Sequence, residues 1–135
     1  MTLAEPKRLV ALLSLSLAAS LLHFVHNAEF LSAYPNLPVW LTRSHVYLAW
    51  TGLAAIGLCG LLLYLRRWHY LGLSLIGLYA AFGFDGLLHY SRAPFDSHTA
   101  VMNFTIWFEV VAAGALLVAV VFAAVTRLRR QGIDT

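Results

Sequence analysis

The chain has 135 residues, the size of one domain, and 61% of them are hydrophobic while only 11% are charged. Soluble globular domains do not have this composition, so an ordinary water-soluble fold is excluded. The formal net charge of +3 does not indicate nucleic-acid binding, because the basic residues flank apolar segments, where they set membrane orientation. The single cysteine, Cys59, excludes an internal disulfide and a CxxC metal motif.

Four apolar segments follow one another along the chain, at about residues 9–31, 45–65, 70–90 and 99–126. Each has about the 20 residues that a helix needs to cross ~30 Å of hydrocarbon. Only helices and closed barrels satisfy their backbone hydrogen bonds within lipid, and the segments show no period-two alternation. We therefore predict an all-α fold, a single domain over residues 1–135 that forms a four-helix bundle in the membrane.

The first segment has features of a signal peptide, since Lys7 and Arg8 precede an apolar run that contains the small residues "LAAS". The apolar run continues past those small residues to Val25. We therefore expect a spanning helix here rather than a cleaved leader.

The lysine and arginine residues are distributed unequally between the two ends of the predicted helices. Seven stand at one end: Lys7, Arg8, Arg66, Arg67, Arg127, Arg129 and Arg130. The other end has only Arg43 and Arg92. The positive-inside rule then places both termini in the cytoplasm, and we expect a bacterial inner (plasma) membrane protein.

Most remaining ionisable residues fall in the outer half of this topology. The set comprises His23, His26, His45, His89 and His98, with Glu29, Asp85, Asp96 and Glu109. Among the histidines, His69 alone belongs to the inner side. Because helix 1 ends outside, helix 2 begins there, helix 3 ends there and helix 4 begins there, these side chains are predicted to converge at one end of the bundle.

Helix geometry gives the depth of each polar group below the outer mouth. At 1.5 Å per residue, His26 and Asp85 lie about 8–9 Å deep, His23 about 12 Å and Glu109 about 15 Å. His23, His26 and Glu29 share an arc of about 120° on helix 1. On the fourth predicted span, His98, Met102, Thr105 and Glu109 lie on one narrow stripe, whereas Asn103 points towards a neighbouring helix. Lipid would exclude such polar stripes, so they are expected to face the interior.

Imidazoles and carboxylates at these spacings are typical of a metal site. Both groups bind Zn, Fe, Cu and Mn ions, and a spacing of three or four residues lets one helix supply two ligands. Bundle proteins build carboxylate–histidine metal centres in this way. We predict a site for one or two such ions, with the ligands His23, His26, Glu29, His45, Asp85, His89 and His98.

One short segment resembles a known copper site. "DGLLHY", followed by His98, is similar to the Asp-x-x-x-His…His motif of the membrane-bound methane and ammonia monooxygenase family, over Asp85, His89 and His98 alone. The spacing to the last histidine is shorter than in that family, and this chain lacks the family's other helices. The metal prediction does not depend on this resemblance.

A metal near the outer leaflet under short loops suggests an oxidoreductase or hydrolase that acts on a small or lipophilic substrate. Glu109 and Asp85 are the candidate catalytic residues, because carboxyl groups at this depth can transfer protons. The chain has no nucleophile elbow and no phosphate loop. The expected partners are the lipid bilayer and a small or lipophilic ligand, with no nucleic acid; a homo-oligomer would enlarge the small interior of four helices.

Three alternatives remain open at the sequence level. A membrane cytochrome could bind heme b through His26 and His89, but the carboxylates would then have no role beside the heme. A metal-transport or delivery protein needs ligands in the inner half, where the helices offer only Ser14, Ser16 and Ser74. The third alternative is a small structural subunit of a membrane complex, in which the histidines are hydrogen-bond partners between helices.

Overall fold

The computed structural model describes residues 4–131, and within that range the regular secondary structure is entirely helical. The elements are α1 (Ala4–Glu29), α2 (Arg43–Leu65), α3 (His69–Phe82), α4 (His89–Arg92) and α5 (Ala100–Gln131), with short 3₁₀ helices at Leu31–Ala33, Asp85–Leu88 and Phe95–Ser97. Four spans in the described range are long and apolar enough to cross a membrane. The predicted all-α fold is thus confirmed, with four helical segments of the length and composition that spanning a membrane requires.

The four spans pack in a ring. α1 contacts α2 and α5, and α3 contacts the same two helices. Consecutive spans run in opposite directions, so the chain forms an up-and-down bundle with two distinct ends. One end of the bundle, here called the arginine end, contains the first residues of α1, the turn at residues 66–68 and the last residues of α5. The histidine end holds the end of α1, the loop 30–42 and the segment 85–99.

The larger of two apolar core clusters lies towards the arginine end. It comprises Leu9, Leu13, Tyr64, Leu73, Ile76, Tyr79, Ala80, Leu116, Ala119, Val120 and Ala123. A polar network closes it: the Tyr64 hydroxyl donates to Glu5 Oε1 at 2.7 Å, and Arg127 Nη2 lies 3.0 Å from the same oxygen. A second, smaller apolar cluster around Phe24, Ala28 and Val46 lies at the histidine end, next to the polar groups there.

Glycines bring α2 and α3 into backbone contact. A Cβ atom added to Gly72 would lie 2.5 Å from the backbone nitrogen of Tyr64 and 2.7 Å from the carbonyl oxygen of Gly60. Small residues of this kind allow membrane helices to approach closely. The contact anchors the third span against α2.

We expect Gly72→Ala to destabilise the fold by about 3 kcal/mol, because the added methyl group would meet main-chain atoms that cannot rotate away. Unfolding of the purified protein in mixed detergent micelles measures the change. Gly52→Ala is the matched control, since a Cβ there has no atom within 4 Å; it should leave stability unchanged or raise it by up to about 1 kcal/mol. Equal effects of the two substitutions would contradict the close-packing interpretation.

The third span differs from the continuous helix predicted over 70–90. α3 ends at Phe82, and the chain continues through the 3₁₀ helix Asp85–Leu88 before α4 begins. At the break, Gly83 lies against α5, where an added Cβ would be 2.5 Å from Ala113 Cβ. Since a 3₁₀ helix has three residues per turn, positions four apart no longer stack on one face. Asp85 and His89 therefore do not form the stacked pair that a continuous α-helix would give.

Candidate functional site

A buried histidine–carboxyl pair lies at the deepest point of the histidine end. His23 on α1 and Glu109 on α5 are each 2% exposed. His23 Nε2 and Glu109 Oε2 are 3.9 Å apart, which is too long for a hydrogen bond. The other ring nitrogen, Nδ1, lies 3.3 Å from the Thr105 hydroxyl. Thr105 therefore fixes the imidazole with Nε2 directed towards the carboxyl group.

Gly86 of the broken third span faces this pair. A Cβ atom at Gly86 would lie 3.7 Å from Glu109 Oε2 and 3.8 Å from His23 Nε2. Any larger residue would place its side chain beside both polar atoms. The glycine thus keeps a space next to them open, and the break in the helix is what brings its backbone there.

A cavity of about 260 Å³ extends from this point towards the loop 30–42. Its polar lining includes His23, Asp85, His89 and His45, and Phe24 contributes to the apolar wall. Asp85 is half-buried, and its carboxyl group accepts a hydrogen bond from the backbone N–H of Gly86. The broken segment therefore supplies both a carboxyl group and an imidazole to one cavity.

The imidazoles form a continuous row from the deep pair outwards. The His23 and His89 rings meet edge to face, with centroids 5.5 Å apart, and His89 and His98 are 6.1 Å apart. His89 Nε2 lies 3.3 Å from the Asn27 side-chain nitrogen. His98 Nδ1 donates to the Pro94 carbonyl at 3.0 Å. The row connects the deepest histidine to the mouth of the bundle.

Tyr34 brings the loop 30–42 into the site. Its side chain is 4% exposed, its ring packs against His89 with centroids 4.9 Å apart, and its hydroxyl lies 2.9 Å from His26 Nδ1. Burial raises the pKa of Tyr34 to about 12, so the phenol remains protonated near neutral pH. The loop is therefore part of the site and contributes a neutral hydroxyl group.

Asn36 fastens the loop to α4. Its side-chain amide donates to the Arg92 carbonyl at 2.8 Å, and the Arg92 guanidinium donates back to the Asn36 carbonyl at 3.4 Å. Asn36 has φ 57°, a left-handed conformation that asparagine adopts more readily than most residues. The reciprocal bonds keep Tyr34 over the row of histidines.

Asn103 holds the outermost histidine in place. Its side-chain nitrogen donates to the Phe95 and His98 carbonyls, at 3.2 and 3.4 Å, and its oxygen accepts from the Tyr90 hydroxyl at 2.8 Å. This agrees with the expectation that Asn103 points to a neighbouring helix. The Tyr90 ring also packs against His98, with centroids 5.3 Å apart.

Two of the predicted ligands make other contacts. Glu29 lies at the surface, where its Oε1 accepts from the Tyr47 hydroxyl at 2.6 Å and pairs with Arg43 at 2.7 Å. His45 is exposed at the start of α2, and its Nδ1 accepts from the Thr42 backbone N–H at 3.3 Å in a capping box. The structure thus keeps Glu29 with surface partners, while His45 reaches only the outer lining of the cavity.

Unpartnered polar atoms concentrate at the histidine end. Among the described residues, five buried side-chain atoms have no hydrogen-bond partner, and four of these lie there: Asn27 Oδ1, His89 Nδ1, His98 Nε2 and Glu109 Oε2. Buried polar atoms are usually paired, so each such atom requires an explanation. Asn27 and His89 line the large cavity, and Glu109 lies beside His23, which lines it as well.

A second, smaller cavity of about 10 Å³ touches Glu109 from the other side. Its polar lining includes Ser20 and Tyr79, whose hydroxyl oxygens are 2.9 Å apart, and Trp50, whose indole N–H donates to Ser20 at 3.1 Å. A space of this size is close to the minimum for one water molecule. Glu109 therefore borders this small cavity, whereas His23 of the same pair borders the large one.

The donor set suits a metal ion in part. Zn–N distances of about 2.0–2.1 Å and Zn–O distances of about 2.0–2.2 Å keep two ligands of one ion within about 4.3 Å of each other, and His23 Nε2 and Glu109 Oε2 meet that limit. Across residues 4–131, however, no group of three or more His, Cys, Asp or Glu side chains is arranged so that it could hold a metal ion. Among the described residues, the distance limit is thus met by this pair of donor atoms without a third donor beside it.

Tyr34 packs against both histidines of the predicted heme pair, His26 and His89. Both rings pack against Tyr34, with centroids 5.8 and 4.9 Å from its ring, so the tyrosine occupies space that the porphyrin would need. Heme binding by this pair would require Tyr34 to move.

Comparison of the chain with protein-family models, with curated proteins and with solved structures found no match. The function therefore has to be inferred from the residues and their geometry.

Sequence reasoning missed three residues that shape the site: Asn27, Tyr34 and Gly86. Asn27 could have been found, because it lies four residues after His23 and so shares its helix face. Gly86 lies within "DGLLH", but only the helix break places its backbone beside the deep pair. Tyr34 belongs to an irregular loop, whose path into the bundle has no periodic signal in the sequence.

Proposed function

We propose that this chain is an integral membrane metalloprotein whose histidine end binds one transition-metal ion, of Zn, Fe, Cu or Mn. His23 and Glu109 supply two ligands. His89 supplies a third after rotation of its ring, because its Nδ1 has no partner and its ring already packs against His23. The observation that supports this most strongly is the pair of buried polar atoms, His23 Nε2 and Glu109 Oε2, which face one space without bonding to each other.

The broken third span supports a ligand site at this position. Irregular backbone at membrane depth occurs where it is buried in protein or lines a cavity, and interrupted spans often mark binding sites in membrane proteins. Here the interruption presents Asp85, Gly86 and His89 to a single cavity. The break is most simply explained as part of the binding site.

Enzymatic activity on a small or lipophilic substrate is the role that we infer for the bound ion, which would supply Lewis acidity. Asp85 lines the cavity and is positioned to accept or deliver a proton, while Glu109 binds the ion and contacts the small polar cavity. Apolar residues around the cavity, among them Phe24 and Leu41, favour a ligand of low polarity. An oxidoreductase or a hydrolase would use these groups.

The site would open to the outer side of the membrane. The arginine end carries seven of the nine lysine and arginine residues, and the positive-inside rule then assigns that end, with both termini, to the cytoplasm. In a bacterial inner membrane the cavity would face the periplasm. Substrate would enter beneath the loop 30–42.

Metal content tests this proposal. We expect protein purified without a histidine tag or chelator to contain close to one equivalent of Fe, Cu, Zn or Mn by elemental mass spectrometry, with no Soret band. Removal of either deep ligand, by His23→Ala or Glu109→Gln, should lower the metal content at least tenfold. Loss of a residue that only hydrogen-bonds to a metal ligand typically lowers metal affinity about 10–100-fold, so loss of a ligand itself should lower it by at least as much.

His69→Ala is the matched control, because His69 is a partly buried histidine at the arginine end with an unpartnered Nδ1. Its metal content should equal that of the unmodified protein. A folded protein without metal, or equal loss of metal in all three variants, would exclude the proposed site. A Soret band would instead favour heme.

A further inference from the structure

A groove between α1 and α5 at the arginine end is separate from the candidate metal site. It has a volume of about 290 Å³, and its apolar wall includes Leu9, Ala119, Phe122 and Ala123. Arg8 and Arg130 stand at its rim. The alanines leave space between the helices that larger residues would fill, so the groove is a consequence of the sequence.

The two rim arginines make no hydrogen bond or ion pair with any residue that the structure describes, and both are exposed. The acidic residue of the groove, Glu5, is already occupied: its Oε1 accepts from Arg127 Nε at 3.1 Å and from the Tyr64 hydroxyl at 2.7 Å. The Glu5 carboxylate is therefore neutralised chiefly by Arg127, and Arg130 interacts with it only at longer range. The rim keeps two positive charges available for an anion.

We propose that this groove binds an anionic phospholipid, with the phosphate on Arg8 and Arg130 and one acyl chain along the apolar wall. The combination of a basic rim and an apolar wall on membrane-spanning helices matches both parts of such a lipid. Basic pockets between membrane helices recognise phospholipid headgroups in the same way. A small soluble anion would bind the arginines without burying the apolar wall of the groove.

Native mass spectrometry of the detergent-solubilised protein tests the proposal, with dioleoyl phosphatidylglycerol and dioleoyl phosphatidylcholine as probes at equal mole fractions. We expect preferential retention of phosphatidylglycerol. Arg8→Gln and Arg130→Gln should each lower its retention about fivefold, since each basic residue contributes a similar factor to anionic-lipid binding. The double variant should lower retention about 25-fold if the two contributions add.

Arg66→Gln is the matched control, because it removes the same charge from the same end of the bundle and does not line the groove. It should leave retention unchanged. Equal retention of the two lipids, or equal effects of all three arginine substitutions, would overturn the proposal. Displacement of the lipid by soluble glycerol phosphate would overturn it as well, because the acyl chain would then contribute nothing.

Discussion

Gly86→Ala should lower the metal content of the protein at least tenfold without unfolding it. The new methyl group would lie 3.7 Å from Glu109 Oε2 and 3.8 Å from His23 Nε2, beside any ion that the two atoms share. Its third neighbour, Ile106 Cγ2, would be at 3.4 Å, which is an ordinary van der Waals contact. The substitution therefore fills the open side of the site and leaves both ligands in place.

Stability should remain the same or rise slightly in this variant. None of the described glycines has a positive φ, so Gly86 does not need glycine for its backbone conformation. A glycine-to-alanine change at a compatible position stabilises a protein by about 0.4–1 kcal/mol, through the lower entropy of the unfolded chain. Metal analysis and unfolding in detergent, performed on the same preparation, measure the two quantities.

Gly114→Ala serves as the control, because Gly114 lies on the same helix as Glu109. A Cβ at Gly114 would contact only Phe84, at 3.8 Å. This variant should retain its metal. Full metal content in Gly86→Ala would show that the space beside the deep pair is not where the ion binds. Loss of metal accompanied by a large loss of stability would point to misfolding and would contradict the steric explanation.

The helices could be predicted from the sequence because their cause is local. Long apolar runs bounded by charged and turn-forming residues require spanning helices, and the structure places α2 at Arg43–Leu65 where about 45–65 was expected. The buried stripe of α5 was also predictable: Met102, Thr105 and Glu109 are each 2% exposed. These features follow from helical periodicity and the exclusion of polar groups from lipid.

The break in the third span could not be predicted in this way. "GLYAAFGFDGLLHY" is apolar enough for a continuous helix, and membrane helices commonly contain glycine. At the break, Gly83 closely approaches Ala113 of α5, a tertiary contact between residues distant in the chain. Because the break turns Asp85 and His89 into the cavity, the geometry of the site depends on it.

Spacing along the chain predicted the burial of the deep residues better than that of the outer ones. His23 and Glu109 meet because two buried stripes face each other, which periodicity can show. Glu29 has the same spacing from His26 as His26 has from His23, but it lies at the end of α1, where Arg43 and Tyr47 of the next span are within reach. The position of the Glu29 side chain is therefore set by its surface partners at the end of the helix.

Glu109→Met should make the metal-free protein more stable while it abolishes metal binding. Glu109 is 2% exposed, its Oε2 has no hydrogen-bond partner and His23 Nε2 is 3.9 Å away. A buried polar group without its hydrogen bonds costs about 1–3 kcal/mol, and an ionisable residue deep in a membrane protein is usually retained for its function. Methionine has a similar length and removes this cost, so we expect the free energy of unfolding to rise by about 1–3 kcal/mol.

Chelator-treated protein in mixed detergent micelles provides the measurement, since a bound ion would otherwise stabilise only the unmodified chain. The control is Glu29→Met, the same substitution at a surface carboxylate paired with Arg43. It should change stability by no more than about 1 kcal/mol, because exposed ion pairs contribute little. A less stable Glu109→Met protein would show that the Glu109 carboxyl group holds the bundle together. A more stable protein that has lost its metal would mean that the bundle tolerates an unfavourable buried carboxyl group because the site requires it.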